Sequence, residues 1–263
     1  MPVTPAFGAA ARGGARRSAK PTVVLVHGAF ADGSSWQNVI AILQRDGYPV
    51  VAVQNQLASL AGDIATTKRV IDAESKKGPV VVVGHSYGGA VITGAASGNT
   101  DVKALVYIAA YAPDAGESLG ALNDRFAPSA LPTSLAPDAA GFLYITRAKF
   151  RNAFCADVRA PQADVMWATQ KPLAASTFGE SLQAPAWKTI PSWYLVSQND
   201  QAINPDLERF MAKRIGAHTT EVASSHVSFI SHPAAVVRLI EQAATANAAT
   251  ANAATANAAT ASN

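Results

Sequence analysis

The sequence predicts an α/β protein: a mostly parallel sheet of about six strands flanked by helices, with a helical lid inserted late in the chain. Three observations carry this. Short β-branched apolar runs alternate with stretches of helical spacing. A Gly-x-Ser-x-Gly turn joins one such run to one such stretch, and the alternation stops at Pro113 and resumes after Pro191. Runs that are apolar throughout mark strands buried on both faces, as in a parallel sheet with helices on each side.

Thr22 to Val26 is the first such run, ending in His27-Gly28-Ala29-Phe30 and a polar loop, Ala31 to Ser34. A helix is expected from roughly Ser35 to Arg45, capped by serine and stopped by Gly47. Tyr48 to Val53 alternates into a second strand. Ser59 can cap a helix reaching about Lys77, with Leu60, Ile64 and Ile71 near helical spacing and Gly78-Pro79 ending it. Pro79 to Val83 is the third strand, the small apolar stretch Gly88 to Ala96 a tightly packed helix, and Val102 to Ala110 a fourth strand.

From Pro113 to Pro191 the chain holds eight prolines, no clear strand, and short helical candidates at Tyr144 to Ala153 and Pro161 to Thr169. An insertion after the C-terminal end of a parallel strand lies over the crevice where such sheets bind ligands. Its recurring aromatics suggest an apolar underside. Phe126 and Trp167, with Phe30 from the first loop, are the candidate substrate contacts, although such aromatics also serve simply as the core of a lid.

The sheet resumes with Ser192 to Ser197, then a helix opened by Asn204-Pro205 and stopped by Gly216, and a last strand, His218 to Ala223. His232-Pro233 opens the final helix. Beyond Gln242 a five-residue Ala/Thr/Asn repeat recurs to Asn263, without an apolar face, and is assigned no function. The division is therefore a disordered tail over 1–20, a core over 21–112 and 191–243, a lid over 113–190 and a low-complexity tail over 244–263.

Composition narrows the function. Of 263 residues 49% are hydrophobic, ample for a core, and the net charge of +3 is spread out, with Arg12, Arg16 and Arg17 in one terminal tail. That argues against a nucleic-acid partner. The single cysteine, Cys155, excludes an internal disulfide. No apolar run approaches the ~18 residues of a membrane span. The first 20 residues lack the apolar core of a secretory signal, which points to the cytoplasm, or to a secreted or periplasmic protein should Arg16-Arg17 be the remnant of an export signal.

The chemistry converges on Gly84-His85-Ser86-Tyr87-Gly88. A serine on a sharp strand-to-helix turn has its hydroxyl pushed out of the sheet and needs glycines around it to avoid clashes. Serine is a weak nucleophile without a base, and the base needs a third group to orient it. Asp200 follows one strand and His226 the next, so both loops open on the same rim as Ser86. His232 is the rival base, although a residue before proline at a helix start more often caps it, and Asp114, after the strand preceding the lid, is the rival acid. His218 lies at a strand start and His85 points away from the hydroxyl. Backbone amides of Ala29 and Tyr87 can meet to hold a developing oxyanion, with His27 bonding its own loop through its ring. This chemistry calls for no cofactor and no metal.

At these residues the chain resembles the α/β-hydrolase superfamily, over about Pro21 to Ala243. The stretch Val-Leu-Val-His27-Gly28-Ala29-Phe30, the elbow at Ser86, Asp200 with Ile203, and His226 all fall in register, in the order Ser, Asp, His. Within it the chain is most similar to the small serine esterases related to plant methyl-ester esterases and hydroxynitrile lyases. The resemblance implies a serine ester hydrolase acting on small or medium apolar esters, and it allows a homodimer. Lyases of this group carry a lysine beside the catalytic histidine where this chain has Val227, and an aspartate-nucleophile enzyme is excluded by Ser86. A lactonase, amidase, perhydrolase or C–C hydrolase on the same residues, and a non-catalytic receptor, are the alternative readings.

Overall fold

The computed structural model describes residues 20–260, with side chains up to residue 246. The expected disordered tail over 1–20, apart from Lys20, and the last three residues lie outside the described residues. In chain order the first half is β1 (Thr22–Val26), α1 (Gln37–Arg45), β2 (Val50–Val53), α2 (Leu60–Ser75), β3 (Val80–His85), α3 (Tyr87–Ala95) and β4 (Val102–Ile108). The insertion holds α4 (Leu119–Asn123), β5 (Leu135–Pro137), β6 (Phe142–Ile145), α5 (Arg147–Phe154), α6 (Ala160–Ala168) and β7 (Leu173–Ala174). The chain then returns with β8 (Ser192–Ser197), α7 (Pro205–Arg214), β9 (His218–Val222), α8 (Ser228–Ser231) and α9 (Pro233–Thr260).

The fold is the α/β-hydrolase fold. Six strands pair in the order β2-β1-β3-β4-β8-β9, and every pairing is parallel. The apolar runs lie in the middle of this sheet: each residue of β1 and β3 is buried, Val80 to Val83 without any exposure. Removing a valine side chain from water contributes about 1.5–3 kcal/mol, so these runs are what commit the segments to the sheet interior. The polar strand β9 takes the edge, where its Thr and Glu side chains face water and blunt further pairing. From β1 the chain winds first to β2 on one side and then to β3 on the other. The crevice outside the C-terminal ends of β1 and β3 is thus the switch point of the sheet, where such folds bind ligands.

Three local expectations are corrected. The first helix is not capped by serine: a 3-10 turn over Gly33–Trp36 intervenes, Asp32 accepts from the Ser34 amide at 2.7 Å, and α1 begins only at Gln37. The insertion is not strand-free, because β5, β6 and β7 form a small antiparallel sheet. Its middle strand takes the first residues of the expected helix at Tyr144. Gln170 holds Ile145 extended like a strand edge, accepting from its amide at 2.9 Å and donating to its carbonyl at 3.1 Å. The final helix, α9, does not stop at the repeat but runs on to Thr260, as its alanine content favours. Among the described residues no helix is long and apolar enough to cross a membrane.

Candidate active site

Ser86 sits between β3 and α3 at φ 54°, ψ −124°, a backbone conformation that a side chain rarely adopts. Its surroundings force that geometry. A Cβ on Gly84 would lie 2.5 Å from the Gly88 carbonyl oxygen, and one on Gly88 would lie 2.6 Å from those of Val26 and His27. The elbow therefore nests directly against the end of β1, and glycine at both positions is a packing requirement. The Ser86 amide and carbonyl are tied to the sheet rim by Ile108 and Tyr111. Its hydroxyl makes no hydrogen bond to another described residue and borders a small cavity shared with His226.

His226 follows β9 and is buried with its Nδ1 2.5 Å from Asp200 Oδ2. The other Asp200 oxygen accepts from the amides of Ala202 at 2.6 Å and Ile203 at 3.0 Å, so the loop after β8 wraps its own carboxylate. With Nδ1 engaged, Nε2 is the ring nitrogen left for proton transfer. The rivals lie elsewhere. Asp114 is part-exposed and paired with Lys188 at 2.6 Å, and His232 Nδ1 is bonded to the neighbouring Ser231 hydroxyl. His85 turns its Nε2 to the His226 carbonyl at 3.0 Å, bracing the loop that carries the base. Burial, with His226 adding to it, holds His85 well below the usual imidazole range, so it is a neutral strut.

Ala29 and Tyr87 line the same cavity. Tyr87 opens α3, where the first N–H groups lack intrahelical acceptors. The neighbouring Phe30 amide is taken by the Lys171 carbonyl at 3.1 Å, which fixes Phe30 at φ 60°. His27 Nε2 accepts from the Asn55 amide at 3.0 Å, so the ring proton is on Nδ1, donated to the Gly28 carbonyl at 2.8 Å. Burial lowers the His27 pKa and keeps the ring in that neutral form. Gly28 approaches so closely that a Cβ there would lie 2.8 Å from Ser86 Cβ.

Two carboxylates that the sequence reasoning passed over hold this assembly. Asp63, almost fully buried on α2, accepts from the Tyr87 hydroxyl at 2.9 Å and from the amides of Gln56 and Leu57. Burial and the Asp63 charge push the Tyr87 phenol far up, so it remains a donor. Asp157, in the insertion, accepts from the Ser225 amide at 3.0 Å, one residue before the candidate base. An aspartate in the first turn of α2, behind the Ser59 cap, was a visible signal for the first; nothing local announced the second.

The cavity at Ser86 has about 20 Å³ of free volume, room for a water or two. Phe30 lines it as expected, with Tyr111, Leu119, Phe154, Leu173 and Phe178 giving it an apolar wall drawn largely from the insertion. Phe126 and Trp167 are not brought there. Phe126 packs on Phe210 and borders a separate surface pocket, while Trp167 stacks beneath Arg147. A larger outer pocket, of about 180 Å³, lies on the far side of Phe30 and Phe154, whose rings meet edge to face at 6.2 Å. Cys155 is wholly buried and its thiol is pushed up to about 12, which removes it as a nucleophile. Among the described residues no group of three or more His, Cys, Asp or Glu side chains could hold a metal ion.

A strained serine at a strand-to-helix elbow and a buried His–Asp pair thus border one cavity at the rim of a parallel sheet, an arrangement of the α/β-hydrolase class. The chain belongs to the alpha/beta hydrolase family, whose model matches residues 23–239. It is 38% identical to a carbendazim hydrolyzing esterase of Nocardioides sp. over 41% of this chain and 48% of that one. It is 24% identical to Methylesterase 8 of Arabidopsis thaliana, over 73% of this chain and 77% of the plant enzyme. Among solved structures, a pyrethroid hydrolase from Sphingobium faniae superposes with a TM-score of 0.72 at 22% identity, covering 87% of this chain and 98% of its own, which shows the shared fold.

Proposed function

We propose that the chain is a serine carboxylic ester hydrolase acting on small or medium apolar esters through an acyl-enzyme. The observation that carries this reading is the 2.5 Å contact between His226 Nδ1 and Asp200, at a cavity that Ser86 also lines. His226 Nε2 takes the Ser86 proton as Oγ attacks the acyl carbon. Asp200 holds the ring and stabilises the imidazolium. The Ala29 and Tyr87 amides donate to the tetrahedral oxyanion, and His226 returns the proton to the departing alcohol. Water, deprotonated by His226, then releases the acid. The apolar lining and the lack of a cation among the cavity residues favour uncharged acyl groups. The relatives' names are of the same class, one an esterase and one a methylesterase.

Hydrolysis of p-nitrophenyl esters from acetate to decanoate, by the native protein and Ser86→Ala, tests the reading. Loss of the nucleophile in a serine hydrolase lowers kcat by about 10⁶. Turnover that survives Ser86→Ala, or a native protein inert on the whole series, would overturn it.

A further inference from the structure

The acid of the proposed triad has a buried neighbour with no assigned task. Glu208 lies on α7 with no solvent exposure, turned back toward the end of β8. Its Oε2 accepts from the Ser197 amide at 3.1 Å. Its Oε1 meets no donor among the described residues, and Ser197 links Glu208 to Asp200, whose own amide donates to the Ser197 carbonyl at 3.1 Å. Two carboxylates this close and out of water do not both carry charge, so one holds a proton. Asp200 already accepts from three donors: the Ala202 and Ile203 amides and His226. Glu208 has a single amide. The proton therefore belongs to Glu208, and placing it on Oε1 turns an orphaned buried acceptor into a donor aimed at Asp200.

We propose that Glu208 is a positioning residue of the catalytic triad, a neutral carboxylic acid whose Oε1–H donates to the Asp200 carboxylate and fixes the group that orients His226. This rests on the serine hydrolase reading above. The charged surroundings agree. Burial pushes the Glu208 carboxyl well above the usual carboxylate range and the Asp200 charge adds to it, while the Ser197 amide and Arg209 act weakly the other way. Arg209 is committed to Glu221 at 2.8 Å and Asp206 at 2.9 Å. On the sheet side stand two neutral phenols: Tyr194, donating to the Ala110 carbonyl, and Tyr111, donating to Asn123. The arrangement gives Asp200 a full shell of donors with only one of them, His226, free to change its protonation during turnover.

Two variants separate the proton from the shape. Glu208→Gln keeps an N–H for Asp200 and an oxygen for the Ser197 amide, whereas Glu208→Leu keeps neither. The difference infrared spectrum between native protein and Glu208→Gln at neutral pH should show a protonated-carboxyl carbonyl band. A raised folded pKa means stability that is lost as pH climbs, so the Tm of Glu208→Gln minus that of native protein should grow between about pH 5 and 8. On a p-nitrophenyl ester, Glu208→Leu should lose about tenfold in kcat with KM little changed, and Glu208→Gln should stay within about threefold of native. Absence of the band with a flat Tm difference would overturn the proposal, as would equal kcat in Glu208→Leu and native protein or equal losses in both variants. Both the infrared and the thermal readouts stand without any turnover. A failure of the esterase reading is thereby distinguished from a failure of this one.

Discussion

Asp157 of the insertion and Ser225 of the loop after β9 are joined twice, by the Ser225 amide at 3.0 Å and by its hydroxyl. The cover thus grips the residue next to His226. Burial works to raise the Asp157 pKa, and the Ser225 hydrogen bonds outweigh it, leaving the carboxyl below the usual range. A depressed folded pKa gives stability that is present above the unfolded value and lost as pH falls. Asp157→Ala should cost about 1–2 kcal/mol near neutrality. The gap in Tm between native protein and variant should close as pH falls below the ordinary carboxylate value of 3.8. A fall in kcat without a matching rise in KM would show that the tie also places the base.

Gly28→Ala addresses the close approach behind Ser86. The added Cβ, 2.8 Å from Ser86 Cβ and 2.9 Å from His85 Nδ1, must displace either the serine or the loop bearing the Ala29 amide. Either shift spoils the oxyanion geometry, and kcat should fall by about 10²–10³. Steady-state kinetics on a p-nitrophenyl ester, with circular dichroism to confirm the fold, read this directly.

Tyr87→Phe removes the one hydroxyl that donates to Asp63 among the described residues. A buried carboxylate stripped of a donor costs about 1–3 kcal/mol, measurable by urea denaturation. Because the backbone amide of residue 87, the proposed oxyanion donor, is retained, kcat should change far less than stability. A large loss of kcat at unchanged stability would show that the phenol acts in turnover.

Phe154 stands between the two pockets and touches both Phe30 and the His226 ring, at 6.2 Å and 5.3 Å between centroids. The inner cavity, at about 20 Å³, leaves little room for an acyl chain beside Phe154. Phe154→Ala should join the inner and outer pockets and shift the chain-length optimum to longer acyl groups. It should also cost about 3–5 kcal/mol through the lost packing of a buried aromatic. An unchanged optimum would place the substrate route elsewhere.

The parallel sheet with its alternating helices, and the proposed Ser86–Asp200–His226 grouping, could be read from the sequence because they rest on local chemistry. Val80 to Val83 can be nothing but an interior strand, and the elbow glycines are demanded by backbone crowding within a few residues. The lid was less legible. Its strands are two to four residues long, and one is held extended by Gln170, a side chain 25 residues away, so no periodicity announces them. Phe126 and Trp167 looked like pocket residues by type alone, and only three-dimensional packing sends them to other surfaces. Asp63, Asp157 and Glu208 were missed for the same reason: each acts across a fold contact on a partner far along the chain or on another element.

The small cover over the cavity is wired into the catalytic loops at more than one point. Phe30 gives its amide to the Lys171 carbonyl, Lys171 bonds the Asn55 carbonyl, and Ala174 bonds the Leu57 carbonyl, in addition to the Asp157 tie. For an enzyme engineer this means that the cap is not an interchangeable cassette. Grafting a cap from a relative to import its substrate range would cut the anchors of the Phe30 loop and the His226 loop together. Point changes on the cavity-facing side chains, which leave those anchors in place, are the workable route to a new specificity.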